Sequence, residues 1–385
     1  MTKPDLMIIS FSPIASDARV LKQVRAFAPT YRVTTVGYGP RPEAAHAHLR
    51  IADGTPNRPF GPYLRLRAYR MAYWLMPSVR AALRLIGSRR PDVVIANDVE
   101  AVGVALAARP RCGVHADLHE YSPYLHQEIP AWHRLQTPYL NWLCSKYVAR
   151  ARSFTTVSGG LAAEYEKNFG FAPAVVTNAA PYQDLAATPA SSPLRLVHSG
   201  VGMRDRHLDV MVQAVLDATS DVTLDLYLVP NEPAYVQDLR KRTQASARVT
   251  VHDPVAYKDL AATLHQYDVG VHLLPPVNFN NAWALPNKLF DYVQSRLAVL
   301  IGPSPEMARY VNDYGLGVIA DGFTARDLAT AIDALTPEAV TAYKRAAGRA
   351  ARELSSANQE QIWVSAVNGL VDQVPSGRTA ETERP

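Results

Sequence analysis

Two successive series of short apolar runs, separated by stretches with helical periodicity, dominate this sequence. In the first half the runs lie at Leu6–Ser10, Arg32–Val36, Val93–Ala96, Val114–Leu118, Phe154–Val157 and Val175–Thr177. The pattern resumes at Arg195–Ser199, Val222–Val229, Arg248–His252, Asp268–Leu273, Leu297–Ile301 and Leu316–Ile319. Strands that alternate with helices form parallel sheets covered on both faces. We therefore predict an α/β fold of two doubly wound, Rossmann-like domains that face each other across a cleft.

The break between the two series sets the domain boundaries. The chain has 385 residues, which is too long for one ordinary core and fits two domains. The segment PYQDLAATPASSP is rich in Pro, Ala and Ser, as linkers are. We predict an N-terminal domain over 1–182, a linker over 183–193 and a C-terminal domain over 194–345. C-terminal helices over 346–374 should pack back toward the N-terminal domain, and the tail 375–385 should be disordered.

Cysteine content and hydropathy bear on the compartment. Only two cysteines occur, Cys112 and Cys144, whereas a secreted scaffold of this size usually carries more, in pairs. No run approaches the ~20 apolar residues of a membrane span. We expect a cytoplasmic protein.

Several common catalytic motifs are missing. The sequence contains no P-loop, no zinc-type Cys/His spacing and no GxSxG elbow. The turn after the first strand reads SFSPIASDAR and lacks the dinucleotide fingerprint GxGxxG. The Rossmann-like rhythm therefore does not indicate a dehydrogenase.

The stretch ALPNKLFDYVQSRLAVLIG, residues 284–302, predicts a helix from Pro286 to about Ser295. Lys288 falls in its first turn, where the helix dipole disfavours a cation unless an anion such as a diphosphate is bound. Asp291 is three residues on, and its carboxylate suits a ribose diol. A plain Lys–Asp pair on a solvated helix face explains the same spacing equally well.

The segment DLHEYSP ends the strand Val114–Leu118. It places Asp117, His119 and Glu120 where an open sheet presents groups to ligands. An interior histidine satisfied by hydrogen bonds is the alternative explanation of His119.

Taken together, these stretches resemble retaining GT-B glycosyltransferases of family 4. The stretch PNKLFDYVQSRLAVL is similar to the family's donor-binding signature, and DLHEYSP to its acceptor-side histidine segment. Further similar stretches are DARVLKQVRAFAPTYRVTTVGYG, LRLVHSGVGMRDRHLDVMVQAV, YDVGVHLLPP and PEMARYVNDYGLGVIADG. Each match is weak alone, but their order and spacing extend over roughly 350 residues.

The resemblance implies a nucleotide-sugar donor site in the C-terminal domain. The residues that it assigns to donor binding are Gly200, Arg204, Arg206, Asn281, Leu285, Lys288, Leu289 and Asp291. The chain departs from the family pattern at two positions. Trp283 stands where a first acidic residue normally contacts the sugar, and Val201 where many members have a phosphate-binding arginine. Asn280, Asn281 or Trp283 replaces the carboxylate, and Arg204 and Arg206 supply the phosphate charge unless both are ordinary surface arginines.

The resemblance also implies an acceptor site in the N-terminal domain. It makes His119 the catalytic residue, assigned to transition-state hydrogen bonding. The residues expected on the acceptor side are Ser12, Asp17, Arg19, Asn97, Asp98 and Glu120. For Asn97 and Asp98 a plain turn is as good an explanation.

Charge is distributed unevenly along the chain. Residues 1–185 carry 22 Lys/Arg and 13 Asp/Glu, a net charge of +9, against 18 and 22, or −4, over 186–385. Residues 58–90 hold eight arginines and no acidic residue, interleaved with aromatic and aliphatic side chains. Such a basic amphipathic stretch suits an anionic membrane surface, on the inner face of the membrane. The alternatives are a solvated domain helix or, more weakly, nucleic acid, for which no recognised motif is present.

The function expected from all these observations is transfer of a sugar from a nucleoside-diphosphate sugar, with UDP the first choice, to an acceptor with retention of configuration. The product would be a polysaccharide, a glycolipid or a glycosylated metabolite. We expect no cofactor and no essential metal, because helix N-termini and basic side chains can stabilise the leaving diphosphate. The alternatives are a sugar-nucleotide epimerase of the same fold and an inactive binding or scaffold protein.

Overall fold

The computed structural model describes residues 3–373 and divides the chain into two compact units. The first comprises Met1–Val176 with Glu360–Pro385, and the second Thr177–Gln359. The tail 375–385, predicted to be disordered, lies outside the described residues. None of the helices within 3–373 combines the length and the hydropathy that a membrane span requires.

The first unit is built on a parallel sheet with the strand order β3-β2-β1-β4-β5-β6-β7. Its strands are β1 Asp5–Pro13, β2 Arg32–Tyr38, β3 Ala47–Arg50, β4 Val93–Asn97, β5 Gly113–Leu118, β6 Ser153–Thr156 and β7 Ala174–Val175. Its helices, numbered along the chain, are α1 Ala18–Phe27, α2 Gly61–Arg65, α3 Tyr69–Trp74, α4 Pro77–Ile86, α5 Val99–Ala107, α6 Pro130–Lys146, α7 Gly159–Phe169 and, from the C-terminal part, α16 Ser356–Asp372.

The second unit repeats the design with the strand order β10-β9-β8-β11-β12-β13. Its strands are β8 Leu194–Val201, β9 Val222–Val229, β10 Val249–His252, β11 Val269–His272, β12 Ala298–Ile301 and β13 Gly317–Ile319. Its helices are α8 Leu208–Asp217, α9 Pro233–Thr243, α10 Tyr257–Leu264, α11 Phe279–Ala282, α12 Asn287–Gln294, α13 Pro305–Tyr314, α14 Ala325–Asp333 and α15 Pro337–Ala350. The segment 183–193, predicted as a linker, is irregular and is tied to this unit by hydrogen bonds, such as Gln183 N to Gln294 Oε1 at 3.1 Å.

All the strands predicted from the apolar runs are present, and the doubly wound α/β prediction is confirmed. The sequence missed β3, which pairs with β2 in the register Thr34 to Ala47. Its residues Ala47–Arg50 lie at the edge of the sheet and are half-buried or exposed. An edge strand of this kind is not buried on both faces, so its sequence contains no continuous apolar run from which it could be predicted.

Each strand order reverses direction at one point, between β1 and β4 in the first sheet and between β8 and β11 in the second. In doubly wound sheets ligands bind at this switch point, outside the carboxyl ends of the strands. We therefore expect functional groups in the segments that follow β1 and β4 in the first unit and β8 and β11 in the second, and His119 follows β5, the strand next to β4.

Apolar packing accounts for the position of the C-terminal helices. Trp363, Val367 and Leu370 of α16 are buried in the core of the first unit, together with Leu6 and Val20. The prediction that C-terminal residues pack onto the first unit thus holds for α16. The earlier helix α15 belongs to the second unit, where Ala347 packs in the same core as Leu289.

A buried ion pair joins the elements of the first unit. Asp117, at the end of β5, is fully buried and accepts from Arg19 of α1 through Nε at 2.8 Å and Nη2 at 2.7 Å. Three further donors complete its shell: Gln23 Nε2 at 2.7 Å, Thr155 Oγ1 at 2.7 Å and Trp363 Nε1 at 3.4 Å. Burial opposes ionisation of Asp117, but the Arg19 charge outweighs it and lowers the pKa of Asp117 well below its ordinary value.

We predict that Arg19→Ala lowers the free energy of unfolding by about 3–5 kcal/mol, because it leaves a buried carboxylate without its counter-ion. Denaturant unfolding of the purified chain measures this loss. The matched control is Arg25→Ala, which removes an exposed arginine from the same helix. Equal stabilities of the two variants would contradict the structural importance of the ion pair.

Candidate functional site

The second unit brings four nitrogen-bearing side chains together at the switch point of its sheet. They are His198 of β8, His272 of β11, Arg206 of the turn after β8 and Lys288 of α12, and we call them the cation cluster. A β-carbon placed on Gly200 would lie 2.6 Å from Lys288 Cε, 2.9 Å from Lys288 Nζ and 3.3 Å from His198 Nε2. Only glycine at this position lets the lysine lie across the end of β8.

Lys288 has no counter-ion in direct contact. The structure records no hydrogen bond and no ion pair of its ammonium group with any of residues 3–373. Burial and the Arg206 charge lower the pKa of Lys288, and Asp291 opposes the shift from one turn further along α12. A partly buried ammonium at a helix N-terminus is unfavourable without an anion, so this arrangement suits a negatively charged ligand.

The two histidines of the cation cluster are buried, with 2% of His198 and 6% of His272 exposed. Their rings stack with centroids 5.8 Å apart and planes 12° from parallel. His198 Nδ1 donates to Val271 O at 2.8 Å, whereas neither ring nitrogen of His272 has a partner among the described residues. Burial and the Lys288 charge lower the pKa of His198 to about 3.

Asp291 lies beside a separate pocket of the same unit. The pocket has a volume of about 140 Å³. It is lined by Ala180, Pro181, Gln183, Tyr257, Lys258, Leu260, Ala261, Asp291 and Gln294. Tyr257 begins α10, and its side chain is 61% exposed. The carboxylate of Asp291 is close enough to act on the phenol of Tyr257.

The other residues that the sequence assigned to donor binding have varied surroundings. Arg204 is exposed, stacks on Tyr235 at 5.0 Å and has its Nε 4.0 Å from Glu232. Leu285 and Leu289 are core residues, 2% and 1% exposed, so only their backbone can face a ligand.

Asn281 and Trp283 lie at the short helix α11. The backbone N–H of Asn281 donates to Asn278 Oδ1 at 2.8 Å, and Trp283 caps the helix in a half-buried position.

In the first unit His119 lies between acidic groups. Its Nδ1 is 3.3 Å from Asp98 Oδ2, and its Nε2 donates to Asn97 Oδ1 at 3.1 Å with Asp117 Oδ2 at 3.4 Å. Burial disfavours the charged ring, but Asp98 and Asp117 outweigh it and raise the pKa of His119. The side chain remains 22% exposed. His119 is thus well satisfied, as the interior explanation required, and it also reaches solvent.

Acidic groups continue around this histidine. Burial, with the charges of Asp98 and Glu120, raises the pKa of Glu100 to about 7. Burial and Asp98 also raise the pKa of Glu120, against the opposing charge of His119. Asp98 itself has φ of 63°, a conformation that costs free energy in a non-glycine residue and that clusters at functional sites. Asp98 is also the N-cap residue of α5, so the turn that the sequence allowed describes its backbone as well.

The remaining acceptor-side predictions fall on structural hydrogen bonds. Ser12 Oγ donates to Asp17 Oδ2 at 2.7 Å, and Asp17 caps α1 by accepting from the N–H groups of Arg19 and Val20 at 3.1 Å. Arg19 is 7% exposed and committed to Asp117, so it does not line a pocket edge as the sequence suggested. Asn97 is 2% exposed and orients His119.

Sequence reasoning missed several residues of these clusters. His198, His272, Tyr257 and Glu100 were not singled out, although His198 stands two residues before Gly200 and His272 ends a predicted strand. Strand-end position was the available signal for the histidines.

Within residues 3–373, no three His, Cys, Asp or Glu side chains converge in a way that would hold a metal ion.

Comparison with known proteins identifies the fold, and a family model matches the first part of the chain. Residues 19–180 match the model described as Glycosyltransferase Family 4. HepE from Anabaena in complex with UDP-glucose is similar, with a TM-score of 0.68 and 15% identity over 95% of this chain and 100% of that one. Sucrose-phosphate synthase from Thermosynechococcus elongatus is similar with a TM-score of 0.72 and 12% identity, over 97% of this chain and 100% of that one. A glycosyltransferase from Rickettsia africae has a TM-score of 0.68 and 10% identity, also over 97% of this chain and 100% of that one. No curated protein matches the sequence.

We predict that His119 keeps its proton to a higher pH than an ordinary histidine. Because its folded pKa lies above 6.5, the stabilisation from its acidic neighbours is complete below pH 6.5 and is lost as the pH rises through the folded pKa. A pH titration of the imidazole NMR signals measures this value. Asp98→Asn should lower it, whereas Asp53→Asn, at an exposed loop position, should not. A wild-type pKa at or below 6.5 would refute the assignment.

Proposed function

We propose that this chain transfers a sugar from a nucleoside-diphosphate sugar, with UDP as the nucleotide, to an acceptor with retention of configuration. The match of residues 19–180 to the Glycosyltransferase Family 4 model and the GT-B fold support this proposal. The observation that carries the proposal is the ammonium group of Lys288, which lies across Gly200 at the N-terminus of α12 and has no ion pair within the described part of the chain. That arrangement lacks only an anion.

The diphosphate of the donor would complete the cation cluster. Backbone N–H groups of the first turn of α12 point away from the helix without intrahelical partners, and they bind phosphate readily. Lys288 and Arg206 add two full charges at that position. The same groups would stabilise the charge that develops on the leaving nucleotide, so no metal need assist.

The nucleoside would occupy the pocket beside Asp291. A carboxylate accepts two hydrogen bonds from a ribose diol, as acidic residues do in other nucleotide sites. Tyr257 offers an exposed aromatic face on which a base can stack. UDP bound to HepE is consistent with this type of ligand in the fold.

His119 would act on the acceptor side. We assign it hydrogen bonding or charge stabilisation in the transition state, because its imidazolium form is favoured and part of the ring is exposed. We expect the reaction to be a front-face displacement. The sequence motifs contain no pair of carboxylates placed as in a glycosidase that uses double displacement. We place the reaction in the cytoplasm, in polysaccharide, glycolipid or glycosylated-metabolite synthesis.

Two alternatives give different results with a nucleotide-sugar alone. A transferase slowly hydrolyses its donor and releases UDP, an epimerase changes the sugar, and an inactive scaffold does neither. Lys288, which has no ion pair among residues 3–373, favours both enzymes over a scaffold that has lost its ligand, because a scaffold gains nothing from a partly buried charge without a counter-ion.

We predict that Lys288→Ala and Asp291→Ala each weaken UDP binding by about 1–3 kcal/mol, the range for losing hydrogen bonds to a charged group. Isothermal titration calorimetry measures both affinities. Lys241→Ala, on an exposed face of α9, is the matched control and should bind UDP as the wild type does.

His119→Ala provides the contrasting result. Its UDP affinity should stay near normal while the rate of UDP release from UDP-glucose falls on the order of 100-fold, because a hydrogen-bond donor that acts in the transition state contributes to turnover and not to binding.

Unchanged UDP affinity in both the Lys288 and the Asp291 variant would remove the basis for the donor site.

We also propose that the arginine-rich segment 58–90 binds an anionic membrane surface. Four large apolar side chains of this segment are exposed: Phe60 at 61%, Leu66 at 78%, Met71 at 47% and Leu75 at 43%. The arginines between them are exposed as well, and none forms an ion pair with another described residue. Arg67, between α2 and α3, adopts a φ of 54°, which is unfavourable for a residue with a side chain.

We predict that the wild-type chain binds vesicles containing phosphatidylglycerol at low salt and releases them as salt screens the attraction. Replacing Arg65, Arg67 and Arg70 together by Gln should abolish co-sedimentation with the vesicles. The matched control is the triple replacement of Arg326, Arg345 and Arg349, exposed arginines of the second unit. Equal loss of binding in both triple variants would show a general charge effect and not this surface.

A further inference from the structure

His272 has an environment that the protein alone does not satisfy. The residue is 6% exposed, and both of its ring nitrogens are buried without a hydrogen-bond partner in residues 3–373. One of the two nitrogens carries a proton in either neutral tautomer, so at least one donor is unmatched. Buried polar groups of native proteins are nearly always paired, and an exception calls for an explanation.

The position of His272 points to a ligand as the missing partner. It is the last residue of β11, and β11 neighbours β8 at the point where the strand order reverses. Ligands of doubly wound sheets bind in the crevice at this point. The neighbouring His198 does not supply the missing partner. The Nδ1–H of His198 donates to Val271 O, and its ring is neutral at ordinary pH and carries no negative charge.

The charges that act on His272 define the chemistry of that ligand. The groups close enough to influence it are His198, Lys288 and Arg206, and no carboxylate is among them. Burial first, and then these three groups, lower the pKa of His272 well below its ordinary value. The missing partner must accept a hydrogen bond from the ring N–H, and the nearby charges of Lys288 and Arg206 favour a partner that is negatively charged.

We infer that His272 is a donor-site residue that hydrogen-bonds the diphosphate of the nucleotide-sugar and takes up a proton when the diphosphate binds. This inference rests on the proposed function and extends it to a side chain that lies on the sheet and not on the helix. The two phosphates of the ligand supply the acceptor oxygens and the negative charge that the cation cluster lacks.

The inference has a definite pH dependence. Free His272 is neutral near pH 7, and bound diphosphate raises its pKa, so binding takes up a proton wherever the pH lies between the free and bound values. The contribution of His272 to UDP affinity therefore grows as the pH falls through the bound-state pKa and levels off below the free-state pKa.

The test compares wild type, His272→Leu and His272→Gln by calorimetry with UDP and with uridine, in two buffers of different ionisation enthalpy. We expect His272→Leu to bind UDP about tenfold more weakly, about 1.4 kcal/mol, with unchanged uridine affinity and less proton uptake than wild type. Its melting temperature should rise, because an unmatched buried donor has been removed. His272→Gln should recover part of the UDP affinity without recovering the proton uptake. The matched control is His252→Leu, since His252 of β10 forms a partly exposed pair with Asp225 of β9.

Each outcome has one meaning. Wild-type affinity and proton uptake in His272→Leu would overturn the inference and leave the donor site intact. A lower melting temperature with equal losses of UDP and uridine affinity would assign His272 a packing role and overturn it as well. If the wild-type chain binds none of UDP, GDP and ADP, the proposed function itself fails.

Discussion

The buried ion pair between Arg19 and Asp117 is the interaction on which the first unit depends. A buried charge is tolerated only when it is paired and hydrogen-bonded, and Asp117 receives five donors from α1, β6 and α16. Elements far apart in the chain therefore meet at one carboxylate. The same carboxylate lies 3.4 Å from His119, so the interaction that joins the unit also supports the charge of its candidate catalytic histidine.

The second unit treats charge in the opposite way. Lys288 is partly buried and His272 is buried, and neither has among residues 3–373 the direct partners that Asp117 and His119 have. Unmatched polar groups reduce stability, and they persist where a ligand supplies the missing half of the interaction. Under the proposed function, the satisfied cluster orients His119, and the nucleotide-sugar completes the unsatisfied one.

Particular residues show how far sequence reasoning reached. Strand and helix periodicity predicted every strand except β3, whose half-exposed edge residues have no apolar run. Helix-dipole reasoning at Lys288 led to the first turn of α12, where the structure has that residue. The family resemblance placed Arg19 on the acceptor side, whereas the structure buries it in an ion pair with Asp117. The local sequence around Arg19 could not indicate this pair, because the carboxylate lies 98 residues further along the chain.

The sequence by itself determined the two doubly wound units, the positions of their strand ends and the helix that presents Lys288 and Asp291, because these follow from local periodicity and from the preferences of helix termini. Only the tertiary structure decided which polar groups are satisfied. Hydrogen-bond pairing between β8 and β11, and between α1 and β5, depends on the order of strands in each sheet. Strand order is a long-range property, so the pairing of Arg19 with Asp117 and the isolation of His272 appear only when the chain is folded.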